Sequence, residues 1–264
     1  HRRRRTAVTT AALLALLPAD ITVLAAIFAR VGAMMMTAPA FGDFTIPARV
    51  RLAIALGVTL ALGPSVAADF PAPPQGDAFA LLLLIGGETL IGLFLGLFAR
   101  AVAASLNVAG EVIALQMGLS LAQIFDPTQD VQGAIVGGFL AILGATMIFA
   151  TDAHHLLLAA LSDSYGLLAP GGEIAFGDAA AAMISAVAAA FSLGVRLAAP
   201  FIVFGLVFYT GAGVLNRLMP QAQVFFMLLP ANLVIGLMLL MLTTGLIMTA
   251  FLTRFEAELS QFLR

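Results

Sequence analysis

Gly110-Glu111-Val112-Ile113-Ala114-Leu115-Gln116-Met117-Gly118-Leu119-Ser120-Leu121-Ala122-Gln123-Ile124-Phe125-Asp126-Pro127 lies in the middle of a very apolar chain. It has one carboxylate near its start, a Gln116-Met117-Gly118 break, and an apolar run that stops at Asp126-Pro127. A plain membrane helix needs none of that punctuation. A charged side chain at a bilayer centre costs roughly 2.5–3.5 kcal/mol on insertion scales. Glu111 and Gln116 are therefore expected to face protein or water rather than lipid. Pro127 has no backbone donor and pushes Asp126 out of the helical region. The stretch reads as a helix that enters a non-lipid space and ends in a turn or loop.

The surrounding composition agrees. Of 264 residues, 62% are hydrophobic and 10% charged, against about half and about a quarter in soluble domains. The chain is an integral membrane protein or a subunit buried in an apolar assembly. It has no cysteine, which excludes a disulfide framework and thiolate metal sites. The formal net charge is −2 and no basic face exists beyond the first residues, so nothing points to nucleic acid. His1 to Arg5 is basic and 6–17 is a short apolar run. The pair is read as a basic membrane-proximal flank rather than a signal peptide, because no clear small-x-small cleavage site follows.

Working outward, apolar segments fall at 21–41, 50–68, 79–99, 101–125, 135–150, 156–168, 179–213 and 224–253, separated by Pro- and Gly-rich breaks. Several reach the ~20 residues needed to span a ~30 Å core. Arg30, Glu88, Glu111 and Arg196 interrupt these runs. Four such charges are too costly for simple lipid-facing spans, so Glu88 and Arg196 are expected in buried polar contacts. Glu88, Gly92 and Gly96 recur every four residues and share one helix stripe. Small residues at that spacing permit close helix contact in membranes, so Glu88 should face a neighbour. Met34, Met35 and Met36 spread round a helix and read as packing filler. Pro200 should bend the helical pattern of 179–213, which with 224–253 forms a helical hairpin. Placing Arg49, Arg51, Arg100 and Arg217 inside, and the acidic loops around 69–77, 126–130 and 172–178 outside, gives a workable alternation, which the basic cluster at 2–5 breaks unless 6–17 forms an extra short crossing.

No catalytic constellation stands out, and the chain is read as non-enzymatic. Asp152, His154 and His155 suggest a metal site, but adjacent helical residues point about 100° apart and only three ligands are present. They are read as structural, and no metal or other cofactor is expected. The main rival from residues alone is a small-solute secondary transporter using Glu88, Glu111 and Arg196.

Gly110, Glu111, Gln116, Met117, Gly118, Leu119, Ser120, Asp126 and Pro127 together resemble the signature of the R subunit of the bacterial flagellar and type III secretion export gate, the FliR family. Asn216, Arg217, Pro220 and Gln221 resemble a second signature of that family, and Pro39, Phe41, Gly42, Pro47, Arg49 and Arg51 a third. The Gln-Met-Gly-Leu-Ser spelling leans to the flagellar branch; the injectisome homologue is the alternative. The resemblance implies an all-α, multi-helix, membrane-associated export-gate subunit with a C-terminal helical hairpin, similar to a fusion of its two partner subunits' folds. It implies a part carrying the pore-loop motif (1–178) and a hairpin with its tail (179–264). It further implies two other gate core subunits as partners in a hetero-oligomeric helical assembly, cytoplasmic gate components, unfolded exported proteins as cargo, and the inner membrane at the flagellar basal body as location. Mostly from this resemblance, Met117, Leu121, Ile124 and Phe125 are candidates for an apolar pore constriction, and Arg217 and Gln221 for contact with the cytoplasmic components.

Overall fold

A computed structural model describes residues 19–42, 46–71, 77–119, 131–172, 175–219 and 224–263. Nine α-helices and one 3-10 turn (Ala67–Asp69), with no strand, occur among them. In order, the helices are α1 Ala19–Thr37, α2 Ala48–Val66, α3 Ala78–Ala103, α4 Ser105–Gln116, α5 Val131–Ala150, α6 His154–Leu167, α7 Phe176–Leu197, α8 Ala199–Leu218 and α9 Val224–Ser260. The all-α expectation holds. Five stretches are long and apolar enough to cross a membrane: Ala48–Asp69, Ala78–Gln116, Phe176–Leu197, Ala199–Leu218 and Met227–Ser260.

The expected bend at Pro200 is a full break. α7 ends at Leu197 and α8 starts at Ala199, placing Pro200 in the first turn of α8. A missing N–H has no intrahelical partner to lose there.

The chain forms two compact units, and they are not consecutive in sequence. One comprises residues 1–100, 155–181 and 259–264; the other comprises 101–154 and 182–258. This differs from the sequential division expected at 178/179. The reason lies in long-range packing. The last residues of the chain return to the first unit, where Phe262 meets Phe98 edge-on at 4.9 Å and Phe94 at 6.1 Å. In the second unit α4 packs on both α5 and α8.

The first unit is built on the stripe read from the sequence. A Cβ on Gly92 would run into the backbone carbonyl of Arg30, and one on Gly96 into Thr37 and the Met34 carbonyl. The stripe therefore faces α1 at close backbone approach. α1 answers with Ala26, Ile27, Arg30, Val31, Met34 and Met35, all buried. Met36 is the methionine left outside, about half exposed, where Arg51 Nη1 donates to its sulfur at 3.6 Å. In the second unit α9 buries one stripe: Asn232, Gly236, Leu240, Thr243, Ile247, Phe251 and Phe255, at steps of three or four. Its other faces are apolar too. Met241 is 87% exposed and Leu242 79%, so this surface is made for lipid or for another subunit.

Candidate functional site

The Gln116-Met117-Gly118 break is where α4 stops. Gly118 has φ 77°, the left-handed conformation that costs an L-residue roughly 1–2 kcal/mol. The Gly118 N–H donates to the Leu115 carbonyl at 3.1 Å, and the Leu119 N–H to the Ala114 carbonyl at 3.0 Å. These two bonds make a Schellman cap, which satisfies two of the helix's orphan carbonyls.

A third orphan, the Gln116 carbonyl, is taken by the C-terminal hairpin. The Tyr209 hydroxyl of α8 donates to it at 3.4 Å and Asn232 Nδ2 of α9 at 3.2 Å. Asn232 Nδ2 also donates to the Tyr209 hydroxyl at 3.3 Å. Both bonds to the carbonyl are long for their type, so each contributes at the low end of the roughly 0.5–1.5 kcal/mol typical of a net hydrogen bond. Asn232 is fully buried, and its Oδ1 accepts no hydrogen bond from the described residues.

Shape does the rest. The Gln116 side chain occupies the space a Cβ would need on Gly205 of α8. Met117 fills the corresponding notch at Gly236 of α9, where a Cβ would stand 2.6 Å from its Cγ. Met117 is 1% exposed, as suits a flexible side chain filling an irregular gap. About two turns earlier, Gly110 lies against the backbone of Gly137 on α5, which packs α4 on that helix too. Glu111 is exposed, as are Asn216 and Arg217 in the last turn of α8. Leu121, Ile124, Phe125, Asp126, Pro127, Pro220 and Gln221 lie outside the described residues.

The first unit holds the other polar centre. Arg30 is fully buried and Glu88 is 1% exposed. Arg30 Nε donates to Glu88 Oε2 at 2.7 Å and Nη2 to Oε1 at 3.0 Å, a two-pronged pair. Nη1 donates to Ser164 Oγ and Nη2 also to the Leu168 carbonyl, both at 3.0 Å. The guanidinium carbon lies 4.0 Å over the Tyr165 ring, a contact worth up to about 2 kcal/mol when desolvated. Three helices, α1, α3 and α6, thus converge on one arginine.

Glu88 and Arg196, paired in expectation, part here. Glu88 is buried within the chain, whereas Arg196 is exposed on the last turn of α7. Among the described residues Arg196 has no ion-pair partner. Asp152, in the left-handed region at φ 60°, brings a carboxylate oxygen within 4.8 Å of ring nitrogens of His154 and His155. The His154 ring meanwhile packs on Phe149 at 5.3 Å.

Sequence reasoning did not single out Tyr209, Asn232 or Tyr165. The signal was present for Asn232, a carboxamide in a long apolar run two residues after Pro230.

The arrangement is that of an all-α membrane protein, and comparison with known families places it among bacterial export proteins. The family model described as "Bacterial export proteins, family 1" matches residues 21–257. The flagellar biosynthetic protein FliR of Caulobacter vibrioides is 42% identical over 246 residues, covering 92% of this chain and 96% of that one. The FliR protein of Escherichia coli is 33% identical over 211 residues, 80% of each chain, and that of Bacillus subtilis 29% identical over 224 residues, 84% of this chain and 85% of its own. The chain belongs to the FliR family of bacterial export proteins.

Proposed function

We propose that this chain is a non-enzymatic subunit of the flagellar type III protein export gate in the bacterial inner membrane, and that it helps form and seal the polypeptide-conducting channel. Its partners in this reading are the two other gate core subunits, the cytoplasmic gate components and the unfolded proteins that pass through. The flagellar naming of its relatives supports this branch over an injectisome homologue.

The observation that carries the sealing role is the capped, doubly notched turn at Gln116–Met117. It holds the end of α4 on the C-terminal hairpin, and residues 120–130 follow it directly in the sequence. Met117 supplies the anchored edge of the constriction, and Leu121, Ile124 and Phe125 supply its apolar throat. An apolar constriction holds back ions by excluding water while yielding to a polypeptide. The extended apolar exterior fits a gate subunit. α9 alone is about 55 Å long at ~1.5 Å per residue, well beyond a bilayer core of ~30 Å, so protein neighbours would cover part of it. A solute transporter built on Glu88 fits less well, because Arg30 already occupies both carboxylate oxygens.

The test is ion leakage through the assembled gate. Leu121→Gly with Phe125→Gly should raise resting leakage about ten-fold or more while secretion continues. Resting leakage equal to wild type, in a gate of normal composition, would remove the sealing role. For the cytoplasmic contact, Arg217→Ala with Gln221→Ala should lower export; wild-type export would remove that assignment.

A further inference from the structure

The turn at 116–119 does not merely touch the C-terminal hairpin; it is wedged between the hairpin's two arms. Gln116 puts its side chain into the Gly205 notch of α8, and Met117 puts its own into the Gly236 notch of α9. One carbonyl, that of Gln116, is held by one residue from each arm, Tyr209 and Asn232. Those two residues are bonded directly to each other at 3.3 Å. Moving such a wedge disturbs one side-chain contact on each arm, and spreading the arms loosens both. The polar part of the grip is weak, and each notch sets a glycine against a flexible side chain.

We propose that Tyr209 and Asn232 are positioning residues that couple the Gln116–Met117 turn to the spacing of α8 and α9, so that displacing the turn and spreading the hairpin are one event. The link to leakage rests on the sealing role above; the coupling does not. Packing on the outer faces of α8 and α9 then sets how readily the turn moves. Outward-facing Val203, Leu206 and Leu242, all more than half exposed, are where a neighbouring subunit would act on it.

The chain contains no cysteine, so a single Leu119→Cys in the purified gate complex reports the turn through its rate of thiol labelling. Tyr209→Phe removes one hydroxyl and keeps the ring; Asn232→Leu removes both bonds of the carboxamide. Each removes two weak hydrogen bonds and should raise labelling roughly five-fold. The pair should raise it little more than the larger single change, because the two residues act as one grip. Spin labels at Val214 and Met238, on the two arms, should show a broader distance distribution when Gln116→Ala and Met117→Ala are introduced. Leu82→Ala, exposed on α3 in the first unit, serves as the control and should leave labelling unchanged. Unchanged labelling with Tyr209→Phe, or an unchanged distance distribution, overturns the coupling. If Leu121→Gly with Phe125→Gly leaks while labelling is unaltered by Tyr209→Phe, the coupling falls and the sealing role stands. If labelling rises without leakage, the coupling stands and the sealing role falls. Tyr209→Phe alone suffices should Asn232→Leu fail to assemble.

Discussion

Two polar centres hold this chain together, and they do so by opposite means. In the first unit Arg30 spends four hydrogen bonds on Glu88, Ser164 and the Leu168 carbonyl, with an aromatic ring against its face. Three helices are pinned by charge, and the pair is inaccessible to water. In the second unit the Gln116–Met117 turn is held by glycine notches and two long bonds to one carbonyl. Nothing there is charged. A buried ion pair resists partial opening, because any intermediate strands a charge in an apolar interior. A glycine notch under a flexible side chain yields gradually. In the proposed gate, the first centre suits a part that stays put and the second a part that moves.

The comparison breaks most sharply at Glu88. Glu88→Ala leaves Arg30 buried and unpaired and should cost about 3–5 kcal/mol, seen as a large drop in thermal stability of the reconstituted complex or loss of assembly. The double change Arg30→Met with Glu88→Met should recover most of that loss. A double variant as unstable as the single one would show that the charges matter for more than each other. Next comes Gly92→Val, which drives a side chain into the Arg30 backbone carbonyl. Backbone cannot give way as a side chain can, so about 3 kcal/mol, the upper end for overpacking, is expected; a stability change under about 1 kcal/mol would mean that α1 and α3 slide freely. The turn should respond more mildly. Gly118→Ala places a Cβ at φ 77° and should cost about 1 kcal/mol, with faster proteolysis near the turn as its readout. Smallest is Arg254→Ala. Its 2.5 Å pair with Glu258 is half-exposed on the arginine side, and a helical surface pair contributes about 0.3–0.5 kcal/mol. A larger effect in the whole gate than in the isolated chain would place Arg254 in a subunit contact.

Much of this architecture is legible in the sequence because it rests on local periodicity. Glu88, Gly92 and Gly96 fall on one face whatever the rest of the chain does, and their demand for a close neighbour is met by α1. The Gln116-Met117-Gly118 break is legible for a similar reason, since a glycine after an apolar helical run favours the left-handed cap. What stayed hidden is pairing across distance. Arg30 and Glu88 are 58 residues apart; cost alone says that each needs a partner in the interior, and nothing in their spacing says that they are each other's. Arg196 shows the same limit in reverse, for the cost of its charge predicts burial, yet it is exposed on the last turn of α7. Asn232 and Tyr209 were harder still, because their role exists only once α4 lies against both arms of the hairpin. The interleaving of the two units has the same origin, with Phe262 returning to Phe94 and Phe98 across most of the chain.

The central claim is that the loop rooted at Gln116–Met117 lines the path of the exported polypeptide. Its most direct measurement is cross-linking in the assembled gate with a cysteine-bearing substrate stalled in transit, using single cysteines at Leu121 and, as a control on the outer face of α9, at Leu242. The account predicts a substrate adduct at 121 and none at 242. An adduct at 242 with none at 121, in a gate that still secretes, would contradict it.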